Sequence, residues 1–426
     1  MGTSHSKSKP ADQQSKLSTL TIRSTQTRDA KSMDLEDMPS DYQTASRILS
    51  ELVKERSTRR TLAQLKGEEA QAMADFLNRV LEREDLEGAN KKDVLHTLAS
   101  LSRTAKVFPR CLRLLDVDCD FASPDYTSNF SEIYRGTYKG ENVCVKAICK
   151  NKAGYTYEQL LKVHAREAIL SAHMWHDNIL PFYGVFLGED EISQVCIISP
   201  WMDCGNLLDY VKSNPGVPLA PLMADMSSGL EYMHRLDILH SDLKAKNVLV
   251  SKEGRAVLAD FGASHVTTAT KTGTTVGDAN WMAPELLAGD ISNPTKDTDV
   301  WSFACTCYEL IGGGAKPFYQ FSNITALGKA FKDGGAFPIR PSGKHSVQDD
   351  TIWRELEKCW RLKPKKRPTA PQLLEFYSGI VPKDSLPQIS RPDKGIRVDR
   401  TKIDDVLVLK LLQEIQLKAS LPKRSN

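Results

Sequence analysis

One stretch constrains this chain more than any other: His240-Ser241-Asp242-Leu243-Lys244-Ala245-Lys246-Asn247, followed after a short apolar hairpin by Asp260-Phe261-Gly262. It sets a carboxylate, a lysine two residues on, an asparagine five residues on and a second carboxylate in one compact segment. Moving a phosphoryl group asks little covalent chemistry of a protein: a carboxylate to take the proton of the incoming hydroxyl, oxygen ligands for Mg²⁺, and cations against phosphate. This segment holds all of them. Any one Asp or Asn in a turn is an ordinary surface residue, so the weight lies in their joint spacing.

Further segments recur in order around it. Upstream, Val143-Cys144-Val145-Lys146 alternates like a strand ending in lysine, Glu167 lies in a helical pattern, and His176-Asp177-Asn178-Ile179 follows. Downstream come Trp281-Met282-Ala283-Pro284-Glu285, Asp299-Val300-Trp301-Ser302-Phe303, Cys359-Trp360 and Arg367-Pro368. Together they resemble the protein kinases over residues 115 to 380, and the Trp-Met-Ala-Pro-Glu and Cys-Trp…Arg-Pro wording looks most like the tyrosine-kinase-like group with its fungal members. The resemblance implies an α+β, two-lobed kinase fold and a Ser/Thr protein kinase of intracellular signalling that transfers the γ-phosphate of Mg-ATP to protein hydroxyls. A scaffolding pseudokinase of the same fold is the alternative.

The resemblance also assigns residues. It makes Asp242 the catalytic base and gives Lys244 the charge of the transferred group, a lysine that goes with Ser/Thr substrates. Asn247 and Asp260 would hold Mg²⁺, and Lys146 would contact the α/β-phosphates with Glu167 as its ion-pair partner. Ser199, Pro200 and Met202 fall at the gatekeeper and adenine hinge, where Pro200 offers only its carbonyl. Ser128, Phe130, Ser131 and Ile133 would cover the nucleotide. Glu285 with Arg367, and Asp299 under the catalytic loop, look structural.

Several positions depart from the family. Tyr126-Thr127-Ser128-Asn129-Phe130-Ser131 lacks all three glycines of the phosphate-covering loop, which impairs close backbone approach to phosphate. Ser171 stands one helical turn after Glu167, where a large apolar residue couples that helix to Phe261, so the helix is looser unless Leu170 compensates. Ser241 replaces the arginine that senses an activation-loop phosphate, which argues against ordinary phospho-switching of the Thr-rich loop from Thr267 to Thr275. Asp278, where the family commonly has threonine, would put negative charge near Asp242.

Outside residues 112–380 the pattern is helical or polar. Residues 1–40 carry twelve Ser or Thr before Met33 and read as a disordered tail, while Met1-Gly2-Thr3-Ser4-His5-Ser6 fits N-myristoylation of Gly2, beside Lys7 and Lys9. One acyl chain gives only reversible membrane attachment. Residues 41–111 show three amphipathic stripes, around Ile48, Leu49 and Leu52, from Ala70 to Leu81, and from Val94 to Leu101. This extension resembles that of fungal tyrosine-kinase-like proteins; it is either a buttress or a module that binds a regulator or inhibits the kinase. Residues 381–426 end in a stripe through Val408, Leu411, Leu412 and Ile415, a terminal helix that docks on the kinase or on a partner.

Composition narrows the setting. A net charge of +3 gives no nucleic-acid footprint, and no run of 18 apolar residues suggests a membrane span. Nine cysteines without a Cys-x-x-Cys pair fit reduced thiols and a cytoplasmic protein, with Cys305 and Cys307 packed in an apolar helix.

Overall fold

The computed structural model describes residues 40–83, 88–127, 131–148, 157–187, 195–261, 279–334, 337–341, 350–382, 387 and 403–420. The acylation motif at Gly2, the Thr-rich loop and Asp278 lie outside these residues.

The chain begins its described part with helices α1 (Ser40–Leu52), α2 (Arg56–Leu62), α3 (Gly67–Glu82) and α4 (Gly88–Ala105). In α1, Tyr42, Ala45, Ile48, Leu49 and Leu52 are buried on one face. In α3 burial goes round the helix: Met73, Phe76, Leu77, Val80 and Leu81 are buried, and so are Gln71, Asp75 and Asn78. Each fully buried Val, Leu, Ile, Phe or Met among them contributes about 1.5–3 kcal/mol. The sequence shows three stripes here; the structure has four helices. The additional one, α2, has seven residues of which only Thr58 and Leu62 are buried, too short and polar to leave a stripe.

From Arg113 the backbone turns to strands: β1 (Arg113–Leu114), β2 (Asp118–Cys119), β3 (Tyr126–Thr127), β4 (Ser131–Tyr138) and β5 (Glu141–Ile148). The β4–β5 hairpin turns at Lys139 and Gly140, with φ of 51° and 83°, the pair of positive angles that two-residue hairpins require. Helix α5 (Tyr157–Ala172) follows, then β6 (Gly184–Leu187) and β7 (Val195–Pro200). The sheet order is β1-β6-β7-β5-β4-β2, with β3 on β4. Its core is Tyr134, Val143, Val145, Ala147, Cys196 and Ile198. The parallel edge strand β1 carries the chain straight from α4 into this sheet, pairing Arg113 with Val185.

The second lobe is helical: α6 (Leu207–Ser213), α7 (Leu219–Arg235), the hairpin β8 (Val248–Val250) and β9 (Ala256–Leu258), then α8 (Pro284–Leu287), α9 (Lys296–Ile311), α10 (Ile324–Lys332), α11 (Asp350–Cys359) and α12 (Ala370–Ile380). Helix α9 is buried throughout from Thr298 to Ile311 and starts in a Thr295/Thr298 capping box. Cys305 and Cys307 sit within it as packing residues, and the eight described cysteines are all free thiols.

The last helix, α13 (Asp405–Ser420), returns to the beginning. Val408, Leu411, Leu412 and Ile415 are buried, and the helix packs on α1, α3 and α2. Arg79 of α3 pairs with Asp405 of α13. Both ends of the described chain thus build one bundle, while α4 also lies against α5. Among the described residues, no helix is long and apolar enough to cross a membrane.

Candidate active site

The β4–β5 register sets Ile133 opposite Lys146, and α5 carries Glu167 behind the sheet. Lys146 Nζ donates to Glu167 Oε1 at 2.6 Å and to Asp260 Oδ1 at 2.6 Å. Burial alone would neutralise this lysine, but the charges of Asp260 and Glu167 outweigh it and hold the ammonium firmly protonated. Burial drives Glu167 above the usual carboxylate range despite Lys146. Asp260 moves the other way: burial pushes it up, yet the charge and hydrogen bond of Lys146 prevail and keep it ionised.

The loop after α7 supplies the second cluster. Asn247 Nδ2 donates to the Asp242 carbonyl and to its Oδ2, each at 2.7 Å. Lys244 Nζ lies 2.9 Å from Asp242 Oδ2. A backbone bond from Ala259 N–H to the Asn247 carbonyl, 2.9 Å, ties this loop to the segment bearing Asp260. Ser241 and Asp260 both take left-handed φ, 64° and 62°, costly for residues other than glycine. At Ser241 the restraint comes from below: Asp299 of α9 accepts the N–H groups of His240 at 2.9 Å and Ser241 at 2.8 Å. His240 lies edge-on to Phe261, ring centroids 5.7 Å apart, and burial lowers its proton affinity despite the carboxylates of Asp299, Asp242 and Asp260.

The predicted residues fall in place unevenly. Lys146, Glu167 and Asp260 meet directly, as do Asp242, Lys244 and Asn247. Ser131 is the buried first residue of β4, and Ser199 on β7 is buried opposite Cys144 of β5. In the hinge, the N–H of Trp201 is committed to the Asn142 carbonyl at 3.2 Å, which leaves Pro200 and Met202 as the groups that would meet a base. Ser128 and Phe130 lie outside the described residues. Glu285 and Arg367 form a bidentate pair at 2.7 and 2.8 Å, with the Arg367 side chain wholly buried.

Two supporting residues escaped the sequence reading. Glu309 accepts the Ala245 N–H at 2.9 Å and Trp281 Nε1 at 2.8 Å, linking the loop to the segment before α8. Its signal was a lone carboxylate in the apolar run Cys305 to Ile311 of α9. His234, which reaches Asp299 at 2.9 Å, looked like any histidine at a helix end.

A strand-rich lobe and a helical lobe, with a lysine held between two carboxylates and a loop Asp/Asn pair below it, define a protein of protein-kinase architecture. The chain belongs to the protein tyrosine and serine/threonine kinase family, whose profile matches residues 127–376, more than half its length. It is similar to a probable serine/threonine-protein kinase of Dictyostelium discoideum, 29% identical over 59% of this chain and 18% of the relative. It is also similar to a serine/threonine-protein kinase of Arabidopsis thaliana, 27% identical over 59% of this chain and 43% of the relative. Cell division control protein 7 of Schizosaccharomyces pombe is 30% identical over 56% of this chain and 22% of its own length. The chain thus spans less than half the length of these curated relatives.

Proposed function

We propose that this chain transfers the γ-phosphate of Mg-ATP to Ser or Thr hydroxyls of protein substrates. The observation that carries this reading is the Lys146 ammonium, bonded to Glu167 and Asp260 at 2.6 Å each. Asp242 takes the proton of the incoming hydroxyl, oriented by Asn247 and Lys244. Lys244 then faces the transferred group and Lys146 the remaining phosphates. Pro200 and Met202 receive the adenine, and Ser131 and Ile133, with the positions of Ser128 and Phe130, are the ones the family resemblance assigns to the nucleotide. Asn247 spends its amide N–H groups on Asp242, which leaves its oxygen for a metal, and the Asp260 side chain keeps 39% exposure, so an amide and a carboxylate suit Mg²⁺. The bound ion supplies charge neutralisation on the phosphates. Similarity to serine/threonine kinases and the formed Lys–Glu pair favour an enzyme over a pure scaffold.

The test is transfer of labelled γ-phosphate by the purified chain to itself and to a generic basic protein, beside Asp260→Asn. Label on Ser or Thr that vanishes in the variant supports the proposal. Absence of label above that control, in a folded protein saturated with Mg-ATP, overturns it.

A further inference from the structure

The helical lobe carries a surface feature that the phosphoryl-transfer chemistry does not use. Tyr319, Phe337 and Ile339, on either side of α10, stand 58%, 49% and 51% exposed. Their backbone is nevertheless pinned. Gln320 Nε2 donates to the Phe337 carbonyl at 2.9 Å, and the Tyr308 hydroxyl donates to the Ile339 carbonyl at 2.7 Å. Arg340 pairs with Asp350 at 2.7 Å and lies over the Trp353 ring. These side chains meet water on a fixed frame, and apolar groups held out in this way favour a partner that covers them.

Beside them, α11 presents a stripe of charge. Arg354, Glu357 and Lys358, with Arg361 just past the helix end, follow the three- and four-residue spacing of one face, opposite the buried Ile352, Leu356 and Cys359. Together with Phe337 they line a cleft of about 370 Å³. Glu357 already accepts Trp353 Nε1 at 2.8 Å, and Lys358 is offset by the buried Glu355 at 2.6 Å. Arg361 donates to the Lys366 carbonyl at 2.8 Å, a bond that offsets none of its charge. Among the described residues the Arg354 side chain, 72% exposed, finds only Asp350 at 4.0 Å, and that carboxylate already holds Arg340. Two guanidinium groups and an apolar ring thus share the cleft with a single carboxylate.

We propose that this cleft docks an acidic segment of a partner protein, which sets an aromatic or aliphatic side chain against Phe337 and its carboxylates against Arg354 and Arg361. Arginine suits such a segment because its planar fork donates two parallel hydrogen bonds to one carboxylate. A concave site receives a side chain, whereas a lipid surface asks for side chains that project into it, which favours a peptide over a membrane. The platform is rigid: α11 packs on α9, and Trp353 and Trp360 close on Tyr308. A partner bound here is held on the lobe that bears Asp242 and, where it carries a target hydroxyl, at raised local concentration. That consequence rests on the kinase reading; the binding does not.

The experiment titrates the full chain against three labelled peptides by fluorescence anisotropy: glutamates around one phenylalanine, the same with alanine for phenylalanine, and the same with lysines for glutamates. The first binds, the other two bind at least about tenfold more weakly, and added salt weakens the first. Arg354→Glu and Phe337→Ser each lower its affinity about tenfold at parental urea midpoints. Absence of binding by the first peptide, equal affinity for all three, or parental affinity in either folded variant overturns the proposal. Where Phe337→Ser fails to fold, the exposed Arg354→Glu decides alone. Co-sedimentation with phosphatidylserine vesicles without peptide binding assigns the face to a membrane and likewise overturns it. A chain that binds the first peptide and transfers no phosphate sinks the kinase reading alone.

Discussion

Asp299 holds Ser241 by a 2.8 Å hydrogen bond from the Ser241 N–H to Oδ1, fixing a residue whose φ is 64° one position ahead of Asp242. A buried helix thereby sets the direction of the loop bearing the proposed base. In Asp299→Asn one oxygen becomes an NH₂ group facing an N–H, so either the Ser241 or the His240 bond is lost. Phosphoryl transfer falls about tenfold to a hundredfold, the factor that about 1.5–3 kcal/mol represents, while far-UV circular dichroism stays parental. Parental kcat in this variant would mean that the loop holds itself.

Glu285→Gln tests the buried pair with Arg367. It leaves a guanidinium of zero side-chain exposure without its counter-charge. Removing one partner of such a pair costs about 3–5 kcal/mol, readable as a lower urea midpoint at unchanged m-value.

Stability should decline toward acid through half-buried His96 and buried His240. Burial, then the charge of Arg166, lower the pKa of His96 from its ordinary 6.5; Asp93 and Asp237 pull it up and Arg59 adds to the lowering. His240 is lowered as well. Above about pH 6.5 both states of the chain keep these rings neutral; below it the unfolded chain takes up protons that the folded one refuses, and folding weakens. His96→Gln flattens part of that decline. Urea midpoints at about pH 7.5 and about pH 5.5, on either side of the free-histidine pKa, read the difference.

Gly184→Ala probes the junction of bundle and sheet. An added Cβ would lie 2.5 Å from Leu114 Cγ and 2.7 Å from the Leu112 carbonyl oxygen, so β1 must move off β6. Overpacking of this kind costs about 1–3 kcal/mol, and hydrogen exchange at Leu114 to Val117 rises first.

What the sequence made legible depended on how local the signal was. The β4–β5 hairpin is written in Lys139-Gly140 between two alternating runs, and Lys146, Glu167, Asp242, Asn247 and Asp260 by ordered spacing. The apolar stripe of α13 announces a buried face without naming its partner, because periodicity records burial and not what covers it. Glu309 and His234 act through long-range hydrogen bonds, which leave no periodic trace. The contact of α4 with α5 joins two helices whose stripes look alike whether they face each other or not.

Arg79 and Asp405, partners across the bundle, are 326 residues apart in the chain. On a ribosome the first helices emerge long before α13 exists to cover them, and the intervening lobes have to be made while that apolar face waits. Contacts of such sequence separation form late and slowly, and the uncovered surface is prone to aggregate meanwhile. Synthesis of this protein should therefore lean on chaperones until Val408 and Leu412 arrive to close what Tyr42 and Phe76 began.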